Sequence, residues 1–252
     1  MASSFIEQAC VIVPLLEELR PKAVLDVGKG LGKYGFLIHE YLGIGETTTP
    51  DPARKLKDQS SVRLDAVEIQ PNYMLPHIGD LYETVHMGDI TEIYPTLTGY
   101  DAVLMADVIE HIERTKAIEV VTHFIEDGST VVVSTPHRFW TQDNLYGSPW
   151  ETHRSFWTPR DFQFAPYMDW QTAGRGNVYL LARERRETGA QAMSSSLAGS
   201  GPGSMLLRMK RSRSGPEDMP GCTARTVDHG ARSGSRATLR GPVRRSYRGA
   251  MA

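Results

Sequence analysis

Apolar residues recur with helical spacing from residue 4 to residue 20, which predicts an opening helix capped by Ser4, kinked at Pro14 and ended by Pro21. A short apolar run, Ala23 to Val27, then predicts a buried strand that runs straight into Gly28-Lys29-Gly30-Leu31-Gly32. A helix from Tyr34 to Leu42 follows, closed by Gly43 and Gly45, and residues 46–61 read as a polar loop. The alternation then becomes regular. Strands are expected at Leu64–Ile69, Thr84–Met87, Ala102–Ala106 and Thr130–Ser134, with a turn and helix after Pro71 and a helix over Thr115–Ile125. Two further strands, Trp170–Thr172 and Val178–Ala182, are joined by the Gly-rich stretch Gly174-Arg175-Gly176-Asn177 and form an antiparallel hairpin. Strands alternating with helices predict an α/β protein: a three-layer sandwich with a mostly parallel, seven-stranded sheet ending in that hairpin.

Composition divides the chain. From about residue 187 core-forming residues vanish and Gly, Ser, Arg and Ala dominate, so residues 187–252 are expected to be a disordered tail and residues 1–186 the domain. The net charge of −2 conceals an asymmetry: the tail carries 11 Arg and Lys against 4 Asp and Glu, leaving about −9 on the domain. The two cysteines, Cys10 and Cys222, lie too far apart to suggest a disulfide framework, and Cys10 is expected to be a buried thiol. The apolar run Cys10–Leu16 lacks the basic flank of a signal peptide, and no stretch approaches a membrane span; a cytoplasmic setting is expected.

The chemistry concentrates at the first strand–turn–helix. Glycines directly after a buried strand permit a sharp turn and let a ligand approach the backbone, while the next helix points its free N–H groups at it. Gly30 to Gly35 formally fits the dinucleotide pattern G-x-G-x-x-G, and a phosphate-binding P-loop is excluded because Tyr34, not Ser or Thr, follows Lys33. More residues fit D-x-G-x-G-x-G from Asp26 to Gly32, and here the chain resembles class I S-adenosylmethionine-dependent methyltransferases, with a Rossmann-like domain. The resemblance covers about residues 21–184 and extends to Glu68 at the end of the second strand and Gly88-Asp89-Ile90 after the third. Asp107-Val108-Ile109-Glu110-His111 follows the fourth strand and Ser134-Thr135-Pro136 the fifth. It implies S-adenosylmethionine as cofactor, held by Asp26, Gly28, Gly30, Gly32, Glu68, Asp89, Ile90 and Asp107, with Glu68 on the ribose hydroxyls and Asp89 and Ile90 near the adenine. Lys29 is expected to turn its ammonium to solvent, away from a sulfonium ligand. Asp26 must be satisfied by the glycine-turn N–H groups or by the ligand's ammonium.

Residues 137–160 are dense in aromatic residues, His and Arg, and should form a lid over the cofactor. Gly147-Ser148-Pro149-Trp150-Glu151-Thr152-His153-Arg154, then Trp157-Thr158-Pro159, is similar to a stretch in bacterial methyltransferases of poorly defined substrate. Trp140, Trp150 and Trp157 can stack on an acceptor or simply pack the lid; Arg138 and Arg154 can grip an anionic one. Candidate catalytic groups are Asp107, His111 and His153, with His137 and Tyr146 as further possibilities. No metal site is expected, since His137, Asp143 and His153 match no standard zinc spacing. The anticipated reaction is methyl transfer to a hydroxyl, less readily an amine, of a small molecule or saccharide. Two alternatives remain: an RNA-associated protein recruiting nucleic acid through Arg208–Arg213 and Arg244–Arg248 of the tail, and an NAD-dependent oxidoreductase.

Overall fold

The computed structural model describes residues 4–43, 51, 53–139, 141–144 and 147–185, all in the first of the chain's two units, Met1–Gly201. Trp140, Tyr146 and the tail 187–252 lie outside the described residues.

The first helix, α1 (Ile6–Leu19), buries Ala9, Ile12 and Leu16 at helical spacing. Its beginning corrects two expectations. Ser4 is not the cap: the Phe5 N–H donates to Gln8 Oε1 (3.1 Å), so the side chain at the third helical position closes the first turn. The Ser4 hydroxyl instead donates to Tyr34 Oη. Cys10 is exposed, because it shares the outward face with Pro14, Glu17 and Glu18 at intervals of four, seven and eight residues. Pro14 sits within a helix that continues past it.

Strand β1 (Ala23–Val27) leads through the glycine turn into α2 (Lys33–Ile38), which runs on as a π-helical turn at His39–Gly43. Then come β2 (Arg63–Glu68), the short helix α3 (Ile78–Leu81), β3 (Val85–Met87) and α4 (Ile90–Ile93). β4 (Ala102–Ala106), α5 (Arg114–Glu126) and β5 (Thr130–Pro136) follow, then the hairpin β6 (Tyr167–Ala173) and β7 (Gly176–Ala182). The sheet order is β3-β2-β1-β4-β5-β7-β6: five parallel strands, with β7 inserted antiparallel between β5 and β6.

Alternation along the central strands splits the core in two. Leu25, Val27, Val103 and Val131 face α5, under Phe124. Val24, Leu64, Leu104 and Val132 face α1 and α2, under Ile12 and Ile38. Both faces of the parallel sheet are therefore covered, which explains why β4 and the centre of β5, Val131–Val133, read as continuous apolar runs. No helix among the described residues is long and apolar enough to cross a membrane.

Candidate active site

The carboxyl ends of β1, β2 and β4 open into a cavity of about 380 Å³, the region where open α/β sheets receive ligands. Its wall includes Gly28, Gly30, Glu68, Asp89, Ile90, Asp107, His111 and His153, eight of the ten residues singled out from sequence. Asp26 and Gly32 are not on it. Gly32 instead starts α2 with φ +85°, and a side chain there would crowd Ile78 and Leu81.

Asp26 is fully buried on the other side of the turn, and its Oδ2 accepts a hydrogen bond from the Tyr82 hydroxyl (2.6 Å). Tyr82, rather than the glycine-turn N–H groups, is the partner it has. Burial pushes its carboxyl up to about 7, against the Tyr82 bond and the nearby Lys29. Tyr82 also accepts from the Gly35 N–H, and a side chain at Gly35 would lie 2.6 Å from its hydroxyl. A side chain at the last glycine of the apparent dinucleotide pattern would thus collide with Tyr82.

Glu68 does face the cavity. Its Oε2 accepts from the Gly30 N–H (3.0 Å) and Oε1 from the Gln70 N–H (2.9 Å), which pins the turn to the end of β2. Burial raises its pKa, opposed by the Gln70 N–H, Lys29 and the Gly30 N–H. A carboxylate has about four acceptor positions, so with the Gln70, Gly30 and Ile69 N–H groups drawing on it, capacity remains for a sugar hydroxyl.

Lys29 departs from expectation. It is 5% exposed, and its Nζ donates to the carbonyls of Tyr73 (2.9 Å) and Gly30 (3.2 Å). Burial lowers its pKa, opposed by Glu68 and Asp26. The apolar stem lies in the turn and the carbonyls replace water around the ammonium, so a solvated position is not needed. Its ammonium interacts electrostatically with Glu68 and Asp26, whereas Asp107 feels the charges of Lys33 and His153. The cation therefore belongs to the Glu68 end of the cavity.

Asp107 sits just after β4 with φ +54°, a left-handed conformation uncommon for a non-glycine residue. Its Oδ1 accepts from Gln8 Nε2 (2.8 Å) and Ser134 Oγ (3.2 Å), and burial raises its pKa against those bonds and Lys33. Gln8 thus closes the first turn of α1 and positions Asp107 together. Asp89 Oδ1 accepts from the Thr91 N–H (2.8 Å), capping α4, while the residue also lines the cavity.

The segment after β5 lies across the cavity mouth, where Gln142, Trp150, Glu151, His153 and Arg154 line it. It is tied down at several points. Gln70 Nε2 donates to Ser148 Oγ, Tyr73 Oη to Glu151 Oε1, and the N–H groups of Arg154 and Ser155 both donate to the Glu110 carbonyl. Trp157 is not available to an acceptor: it is fully buried, stacked on Phe162 at 4.9 Å. Arg138 and His137 do not reach the cavity wall.

These anchors bring together side chains 42 positions apart in sequence. The His111 and His153 rings meet edge to face with centroids 4.9 Å apart. Burial, then His153, lowers the His111 pKa to about 4, and the Thr152 carbonyl lies 3.2 Å from its Nδ1. Glu110, read from sequence only as part of a motif, is 3% exposed, and burial beside Asp107 raises its pKa well above the ordinary carboxylate range. Donor atoms of Glu110, His111 and His153 all lie within 4.8 Å of one another, a cluster that the expectation of no metal site did not anticipate.

A five-stranded parallel sheet closed by a reversed hairpin, with a glycine turn and an acid facing one cleft at its carboxyl edge, is a specific combination. The chain has the class I methyltransferase fold. No family model and no curated protein matches it. Among solved structures it is similar to the methyltransferase domain of bacterial CtHen1, at 18% identity and TM-score 0.46, over 70% of this chain and 97% of that one. A SAM-dependent methyltransferase from Archaeoglobus fulgidus is 18% identical with TM-score 0.44, over 63% of this chain and 65% of that one. The N-terminal domain of EvdMO1 with SAH bound is 12% identical with TM-score 0.47, over 73% and 82%. At these values the class I fold rests on the strand order and hairpin themselves.

Proposed function

We propose that this protein transfers a methyl group from S-adenosylmethionine to a hydroxyl of a small molecule or saccharide. The observation that carries the reading is Glu68: a buried carboxylate that faces the cavity while bonded to the turn it borders. Residues around it fit a nucleoside, since the turn exposes backbone at Gly28 and Gly30 and the acid keeps acceptor capacity for a ribose hydroxyl. When bound, the cofactor supplies an electrophilic methyl group.

The chain's own residues do the rest. Glu68 orients the sugar, Asp89 and Ile90 border the base, and Gln8 holds Asp107 at the far end of the cavity. The anchored segment over the mouth excludes water and aligns the acceptor oxygen in line with the methyl. His111 keeps an uncharged ring at neutral pH, because its pKa lies near 4. The acceptor proton leaves toward the uncharged His111 ring.

Incubation with methyl-labelled S-adenosylmethionine and panels of sugars, phenols and amines tests this. Label should appear on an oxygen acceptor, and Glu68→Ala should suppress it. Label moving only to amines, or equally well with Glu68→Ala, would overturn the reading.

A further inference from the structure

Glu110 presents a problem that methyl transfer alone leaves unexplained. Its carboxyl takes hydrogen bonds from the Thr135 hydroxyl and its own N–H, yet Oε2 is buried with no hydrogen-bond partner. A buried carboxylate oxygen without a partner is costly, and native proteins rarely leave one. A carboxyl oxygen of Glu110 lies within 4.8 Å of ring nitrogens of two imidazoles, His111 and His153. The Thr152 carbonyl facing His111 Nδ1 can only accept, so that nitrogen carries the proton and Nε2 offers its lone pair. A carbonyl holding one ring nitrogen is the usual arrangement behind a histidine that ligates a metal through the other.

We propose that Glu110, His111 and His153 bind a divalent first-row transition metal at the acceptor end of the cavity. Two imidazoles and a carboxylate form a donor set suited to zinc, cobalt or manganese rather than to calcium or magnesium. Donors around a tetrahedral ion stand about 3.3 Å apart at ordinary bond lengths. The three donors here lie within 4.8 Å of one another, so closing on an ion takes small rotations of these side chains, and His111 and His153 are both only partly buried. Three protein ligands leave a position open toward the cavity, which all three residues line. Asp107 stays outside the set, held by Gln8 and Ser134.

The site stands on this geometry alone; its catalytic use rests on the reading above. With all three side chains as ligands, an acceptor hydroxyl sharing the ion would be more acidic and would give its proton to solvent, so the ion would do the work otherwise left to an imidazole. Acceptors with two adjacent oxygens, such as a vicinal diol, are favoured because they can chelate.

The full chain, stripped with a chelator, is titrated with Co²⁺, whose visible ligand-field absorption reports nitrogen and oxygen ligation, and competed with Zn²⁺. We expect one equivalent bound. Loss of a residue that only supports a ligand costs about 10–100-fold in affinity, so removing a ligand by Glu110→Gln or His153→Ala should weaken binding at least about tenfold. Glu110→Gln keeps the side chain's shape, His153→Ala lies at a partly exposed position, and thermal melting shows that both fold. Absence of cobalt binding, or equal affinity in wild type and both variants, overturns the site. Calorimetry with S-adenosylhomocysteine on the same samples keeps the two readings apart. Nucleoside binding without metal binding refutes only the metal site, and metal binding without nucleoside binding refutes only the cofactor reading.

Discussion

Replacing Asp26 by Asn probes the buried pair that backs the glycine turn. The carboxyl titrates near 7 in the folded chain against 3.8 as its ordinary value. Below about pH 4 both folded and unfolded chains hold the proton, and the group's full stabilising contribution is present. As pH rises the unfolded chain ionises first, and the folded chain must ionise a buried acid or keep its proton, so stability falls until about pH 7. A shift of this size corresponds to about 4 kcal/mol over the whole window, of which about 2–3 kcal/mol separates pH 5 from pH 8. The Asn variant has no such proton, and its Oδ1 can still accept from Tyr82. Denaturant unfolding of the ligand-free chain at both pH values gives the comparison: the variant should gain about 2–3 kcal/mol on wild type between pH 5 and pH 8. A wild-type-minus-variant difference that stays flat across that interval would refute the argument that burial dominates at Asp26.

Other outcomes follow from the same cleft. Glu68→Ala should weaken S-adenosylhomocysteine binding by about 1–3 kcal/mol, the cost of losing a charged hydrogen-bond partner, read by calorimetry. Gly30→Val should abolish that binding, because it places a β-branched residue at φ +52° on the cavity wall; circular dichroism should show the fold retained. His153→Ala should leave cofactor affinity within about twofold of wild type yet lower turnover, a split between Kd and kcat.

Local patterns made most of the sheet readable. β4 was predicted at its observed bounds, Ala102–Ala106, because burial on both faces gives an uninterrupted apolar run that ends at polar residues. β6 was read too short: its residues Asp169–Thr172 are exposed on an edge, so only part of it shows a strand pattern. The four-residue helix Ile90–Ile93 went unforeseen, since one turn has no period. The cleft was legible as far as residues adjoining strand ends, which is why Glu68, Asp107 and His111 could be named. Pairings across long separations were not: Tyr82 lies 56 residues from Asp26, and Gln8 lies 99 from Asp107. Lys29 was misplaced for a related reason, as the Tyr73 carbonyl that receives it comes from another loop. Glu110 was visible beside His111, but its meeting with His153 depends on the segment after β5 folding back over β4.

Side-by-side calorimetry of the wild-type chain with S-adenosylhomocysteine and NAD addresses the central claim most directly. One equivalent of the adenosyl thioether should bind, with NAD giving no heat. Silence with the thioether, or saturable binding of NAD in its place, would contradict it.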